Sequence, residues 1–102
     1  MAYTNYLRGR NFEYRVKKDL KKNGFLVFRQ AKSAFPDLIA VRKCTGKKIC
    51  VECKVNGYIT KEEKDKLLKI WVEYDIHPFT ARRVKRKIVY HDLVFSEDIN
   101  AI

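Results

Sequence analysis

The segment Lys48-Ile-Cys-Val-Glu-Cys-Lys-Val55 constrains this chain most, because β-branched and apolar residues recur through it while an acid and a lysine enter near its centre. That makeup reads as a strand, whose side chains alternate between faces. Ile49, Val51, Cys53 and Val55 then point one way. Glu52 and Lys54 point the other, about 6 to 7 Å apart along the strand at the usual rise per residue. Charges inside an otherwise apolar strand need a partner or a purpose. Glu52 and Lys54 are therefore either a structural ion pair or a carboxylate and an ammonium displayed together for chemistry.

Upstream, Asp37-Leu-Ile-Ala-Val41 is a second apolar run, opened by an acid just after Pro36, and a short turn around Thr45-Gly46 separates the two. A hairpin is the simplest connection. Antiparallel pairing brings Asp37 near the level of Glu52, so that two hard oxygen donors converge on one divalent cation. Hydrolysis of a phosphodiester calls for such a centre: a metal neutralises charge, orients the phosphate and generates a nucleophile from water. Mg²⁺ keeps several waters, so one or two carboxylates and a substrate phosphate suffice. Mn²⁺ is the alternative ion. Lys54 would orient or activate the attacking water and stabilise developing charge.

At 102 residues the chain reads as one small domain, too short for a catalytic domain plus an independent recognition domain. Recognition and catalysis then share one surface. Twenty-three Lys and Arg against 12 acids, a formal net charge of +11, suit a polyanionic partner whose condensed counterions are released on binding. No apolar stretch approaches the roughly 20 residues that span a bilayer, and the first residues lack a signal peptide's apolar run, which predicts an intracellular protein with no membrane partner. Cys44, Cys50 and Cys53 are an odd set and suggest no disulfide framework. Cys50 and Cys53 form a CxxC, but on a strand they face opposite ways, against a zinc site.

Residues 1–8 show no period and are expected as a mobile arm. From Gly9 to Asn23, Phe12, Val16 and Leu20 recur every four positions and predict an amphipathic helix with Glu13 bordering its apolar stripe. Asn23-Gly24 stops it, and Phe25–Arg29 reads as the first strand. A short polar loop then delivers Ser33 beside Asp37. Thr60 and Glu63 form a capping box opening a helix to about Asp75, with Leu67, Leu68, Ile70, Trp71 and Tyr74 as a stripe serving either the core or a dimer interface. Pro78 closes that region, and residues 79–84 and 87–91 form a final hairpin. Arg82, Arg83 and Arg86 concentrate charge there, as a phosphate contact patch or as a solvated loop. His77 and His91 are isolated and read as structural or surface residues. The tail from Ser96 is expected to fray or to add one helical turn. This order predicts an α/β domain with a central mixed β-sheet flanked by helices.

Several ordered motifs carry a resemblance: Gly9-Arg-Asn-Phe-Glu13 in the first helix, Asn23-Gly24-Phe25 before the first strand, Arg29 and Ser33 around the following loop, Pro36-Asp37-Leu-Ile-Ala40, and Val51-Glu-Cys-Lys54. Over about residues 8–93 the chain resembles the PD-(D/E)xK nucleases, with their restriction-endonuclease-like fold, and within them the archaeal Holliday junction resolvases. The resemblance implies that Asp37 and Glu52 are metal ligands, that Glu13 helps hold the metal directly or through water, and that Lys54 is catalytic. It places Arg29 and Ser33 where they bind or position the scissile phosphate. Arg10, Arg15 and Lys32 join Arg29, Ser33, Arg82, Arg83 and Arg86 as expected DNA-binding residues. One departure stands out: such resolvases commonly follow the helical Glu with Arg, whereas Tyr14 follows Glu13 here, with Arg15 one step later.

The expected activity is metal-dependent endonucleolytic cleavage of branched DNA, in recombination and repair, by a homodimer that makes paired cuts in a four-way junction. The alternatives are another nuclease of the superfamily, acting on flaps, single strands or duplex, and a non-catalytic DNA-binding subunit.

Overall fold

Phe12, Val16 and Leu20 do what their spacing predicts. In a computed structural model that describes residues 2–30 and 35–102, with side chains from Arg8 onward, all three are buried on one stripe of helix α1 (Ala2–Lys22). Burying each contributes about 1.5–3 kcal/mol. The backbone is helical from Ala2, so the segment expected as an arm continues the helix. Gly9 weakens a helix locally, but extending an existing one adds a hydrogen bond for each residue ordered. Lys21 and Lys22 sit in the last turn, where cations suit the helix dipole. Gly24, at a φ of 91°, turns the chain out of the helix.

A six-stranded sheet follows in sequence order: β1 (Phe25–Arg29), β2 (Leu38–Arg42), β3 (Lys48–Cys53), β4 (His77–Val84), β5 (Lys87–Asp92) and β6 (Glu97–Ile99). Helix α2 (Lys61–Tyr74) crosses between β3 and β4, which are the only parallel pair among the described residues. The sheet is therefore mixed, as expected. The tail corrects its expectation: instead of fraying or coiling, Glu97–Ile99 pairs with β5. Ile99 packs on the core, and Asp98 adds bonds from Arg82 and His91. Strand β4 also starts two residues earlier than predicted and takes in Pro78.

The two faces of the sheet are covered unequally. Helix α1 packs on Phe25, Val27, Leu38, Ala40, Ile49, Val51, Phe79, Ala81 and Tyr90. The Tyr90 hydroxyl donates to Asp19 of α1 at 2.6 Å, so the buried phenol is satisfied and the helix is pinned to β5. On the other face, Leu67 of α2 packs with Cys50 and Leu93, and with half-buried Ile39, Leu68 and Ile70. Helix α2 starts with the predicted capping box and ends on Asp75 in the left-handed region.

Candidate active site

The register of β2 against β3 builds the site. Leu38 pairs with Val51, so the next step outward sets Asp37 opposite Glu52 at the strand ends, as the hairpin reading required. Two backbone amides fix the carboxylates: Asp37 N–H donates to Glu52 Oε1 at 3.0 Å, and Cys53 N–H donates to Asp37 Oδ2 at 2.9 Å. Glu52 is only 5% exposed. Burial, and then the neighbouring Asp37 charge, push its pKa up to about 7.

Lys54 follows Glu52 on the same face. Its Nζ lies 3.4 Å from Glu52 Oε2 and 2.9 Å from Glu63 Oε2. Partial burial works against the ammonium, but the hydrogen bond it donates to Glu63 and the charge of Glu52 outweigh it and hold the pKa above the ordinary lysine value. Lys54 is thus a fixed cation and hydrogen-bond donor, suited to stabilising charge and orienting a water but not to removing its proton.

Glu13 comes from α1 and lines the same depression of about 370 Å³, with Gly9, Arg10, Arg29, Asp37, Glu52, Cys53 and Lys54. Its carboxylate is engaged by the Arg29 guanidinium. Tyr14 lies beside both arginines of this rim, its ring centroid 5.8 Å from the guanidinium carbon of Arg10 and of Arg29. Arg10, by hydrogen bond and by charge, and Arg29, by charge, lower its pKa. The residue that departs from the resolvase pattern therefore lies close to two guanidinium groups that line the site. Lys32 and Ser33 lie outside the described residues.

The donor set fits the divalent metal that the resemblance implies. Asp37 and Glu52 are adjacent hard-oxygen donors, and two like charges side by side, with Glu52 buried, are the arrangement that a cation relieves. Each uses one oxygen on a backbone amide, which holds its carboxylate in place. Among the described residues no three carboxylate, imidazole or thiol groups converge as a metal cluster. Glu13 shares the depression but is paired with Arg29.

The remaining basic residues divide. Arg15 donates to the Arg86 carbonyl at 2.7 Å and lines a second depression with Asp19, Arg86, Lys87, Ile88 and Asn100. Arg82 makes a two-pronged bond to Asp98 at 3.3 and 2.9 Å, whereas Arg83 is exposed. Cys50 and Cys53 belong to opposite cores, as their spacing predicts. Burial first, and then Glu52, push the Cys50 thiol up to about 12, which makes it a poor metal ligand or nucleophile. His77 and His91 each pair with an aspartate, Asp92 and Asp98, at 2.8 Å. Glu63 is the site residue that motif reading missed: its role as a helix cap is visible in the sequence, but its reach to Lys54 depends on how α2 packs.

Comparison with known proteins agrees with this geometry. The family model described as archaeal Holliday junction resolvase (hjc) matches residues 4–100. The crossover junction endodeoxyribonuclease Hjc of Methanocaldococcus jannaschii is 35% identical over 89 residues, which cover 83% of this chain and 65% of that protein. This chain thus spans a little under two thirds of that relative. The structure of Archaeoglobus fulgidus Hjc, a Holliday junction resolvase from an archaeal hyperthermophile, superposes with a TM-score of 0.72 at 19% identity, over 91% of this chain and 84% of that one. The last match shows a shared restriction-endonuclease-like α/β fold. The family match over nearly the whole length, on a chain that sets Asp37, Glu52 and Lys54 together at the ends of β2 and β3, shows that this chain belongs to the archaeal Holliday junction resolvase family.

Proposed function

We propose that this protein is a DNA endonuclease that resolves four-way junctions by paired symmetric nicks, using a divalent metal, Mg²⁺ or in its place Mn²⁺. The observation that carries the reading is the Asp37–Glu52–Lys54 constellation: two carboxylates fixed by backbone amides, one of them buried, beside a lysine held as an ammonium. A metal bound by Asp37 and Glu52 supplies charge neutralisation and an activated water. Lys54 donates hydrogen bonds to the attacking water or a phosphate oxygen and offsets the charge that develops there. Arg29 and Arg10 stand at the rim, where guanidinium groups bind phosphate. A phosphate reaching Arg29 competes with Glu13 for it and frees that carboxylate toward the centre.

Two cuts related by symmetry call for two subunits, so the proposed assembly is a homodimer. An apolar shelf supports it. Leu26 pairs with Val41, Phe28 pairs with Ile39, and the chain leaves Leu26 and Phe28 62% and 54% exposed on the part of the sheet that α2 does not cover. Trp71, Val72 and Tyr74 are exposed on α2. A second copy is the occupant that a two-fold substrate requires.

Incubating the protein and Mg²⁺ or Mn²⁺ with labelled four-way junction, flap, duplex and single-stranded DNA, then mapping the cuts, tests the reading. Paired nicks near the junction centre are expected. Cleavage of linear duplex as readily as junction, or a monomer by sedimentation both on and off DNA, would replace it with a general nuclease.

A further inference from the structure

Glu63 splits its two carboxylate oxygens between two tasks. Oε1 accepts from the Thr60 amide and the Thr60 hydroxyl, both at 3.1 Å, and so closes the capping box of α2. Oε2 takes the Lys54 ammonium at 2.9 Å, closer than the 3.4 Å between Lys54 and Glu52. The glutamate cannot swing freely, because the Thr60 backbone N–H holds Oε1 whether or not the Thr60 hydroxyl is there. Lysine has four rotatable side-chain bonds, and a single contact to Glu52 leaves most of that freedom. A second anchor, rooted in a helix start instead of in the strand that carries Lys54, removes it.

Resting on the nuclease reading above, we infer that Glu63 is a positioning residue for Lys54, so that the glutamate closing the start of α2 also supports the catalytic lysine. Glu63 touches no reacting atom. It restricts Lys54 to the side of Glu52, so the first turn of α2 and the end of β3 act as one rigid unit. Placing a charged group before the reaction begins is a main source of rate enhancement, because no reorganisation is then needed at the transition state.

Two substitutions separate the tasks. In Glu63→Gln the amide oxygen can still accept from Thr60, but the other branch becomes an NH₂ facing an ammonium, donor against donor. Flipping the amide would instead set that NH₂ against the Thr60 N–H. Thr60→Ala removes the hydroxyl and weakens the cap, but the backbone N–H at that position still donates to Glu63 Oε1 and leaves Oε2 on Lys54.

Glu63→Gln is expected to slow single-turnover junction cleavage about tenfold while leaving thermal midpoint, and junction affinity measured in Ca²⁺, unchanged. Thr60→Ala should lower the midpoint and keep cleavage within about twofold of wild type. Glu63→Gln cleaving at the wild-type rate, or both variants losing cleavage in step with thermal midpoint, overturns the inference. A second readout needs no activity: ¹⁵N-edited NMR of the lysine ammonium groups should show a Lys54 signal protected from exchange in wild type and Thr60→Ala and lost in Glu63→Gln. An unchanged signal in Glu63→Gln also overturns it. A wild type that shows the signal and its loss but cuts no DNA overturns the nuclease reading and leaves the Glu63–Lys54 contact standing.

Discussion

Two charged clusters on the same sheet behave in opposite ways. At the ends of β2 and β3, Asp37 and Glu52 set like charges together with Glu52 buried, and burial with that neighbouring charge pushes Glu52 up to about 7. At the far edge, Asp98 of β6 meets Arg82 and His91 in the open, and their hydrogen bonds lower its pKa. Both are carboxylate clusters between neighbouring strands. One pairs its carboxylate with cations at a solvated edge; the other sets two carboxylates against each other on central strands, with Lys54 beside one of them. Complementary charge at an edge serves pairing, as β6 shows, whereas like charge held in the interior is destabilising by itself and marks a place where something positive is meant to bind.

The sharpest way to break this contrast is to remove the charge at each site. Glu52→Gln and Asp37→Asn should each lower cleavage by more than about a thousandfold while junction binding survives, because each removes a proposed metal ligand and leaves the basic surface intact. Single-turnover assays and gel shifts check this; a variant cutting at the wild-type rate would end the site assignment. Glu52→Gln should also melt higher than wild type when metal is absent.

A pH series separates the clusters next. Glu52 holds its proton more tightly folded than unfolded, so its site loses stability as pH rises from about 4.5 to about 7. The loss amounts to at most about 3 kcal/mol, and added divalent metal should reverse it. Asp98 works the other way: its contribution is present above its unfolded value of 3.8 and disappears as pH falls through its lower folded value. Urea unfolding of wild type and Glu52→Gln across pH 4 to 8 reads the first window. Equal slopes for the two proteins would show that Glu52 ionises normally.

Smaller effects are expected outside the centre. Neutralising Arg83 and Arg86 together should weaken junction binding about tenfold and reduce the salt slope by roughly two, as two phosphate contacts would. Arg82, already bonded to Asp98, should add less; equal slopes with and without Arg83 and Arg86 would turn that hairpin away from DNA. The smallest change is Asp98→Asn, which removes a half-exposed pair and should cost under about 1 kcal/mol with cleavage unaffected. A large loss of stability there would mean that β6 depends on this one carboxylate.

Much of the fold was legible because local patterns and tertiary demands agree. The four-residue period of Phe12, Val16 and Leu20, the Asn23-Gly24 stop, the turn at Thr45-Gly46 and the Thr60–Glu63 box each encode an element through its own backbone chemistry. Where a prediction missed, the deciding contact was distant in sequence. Nothing in Ser96-Glu-Asp-Ile announces a strand; β6 forms by pairing with β5 and by packing Ile99 on the core, with Asp98 adding contacts to Arg82 and His91 on two other strands. Residues 2–8 lack a period, yet they extend a helix whose buried stripe lies further along.

The sequence by itself determined which groups are available and roughly where: an alternating strand that puts Glu52 and Lys54 on one face, an acid two residues after Phe35, and an excess of positive charge over the whole chain. Alternation and turn chemistry are short-range, so they survive being read one segment at a time. Only the tertiary structure decided how those groups are held. Glu13 is paired with Arg29, Tyr14 lies beside two guanidinium groups, and Lys54 is held by the glutamate of a helix cap. Each of these depends on distances between elements, which packing sets to within an ångström and which no local pattern encodes.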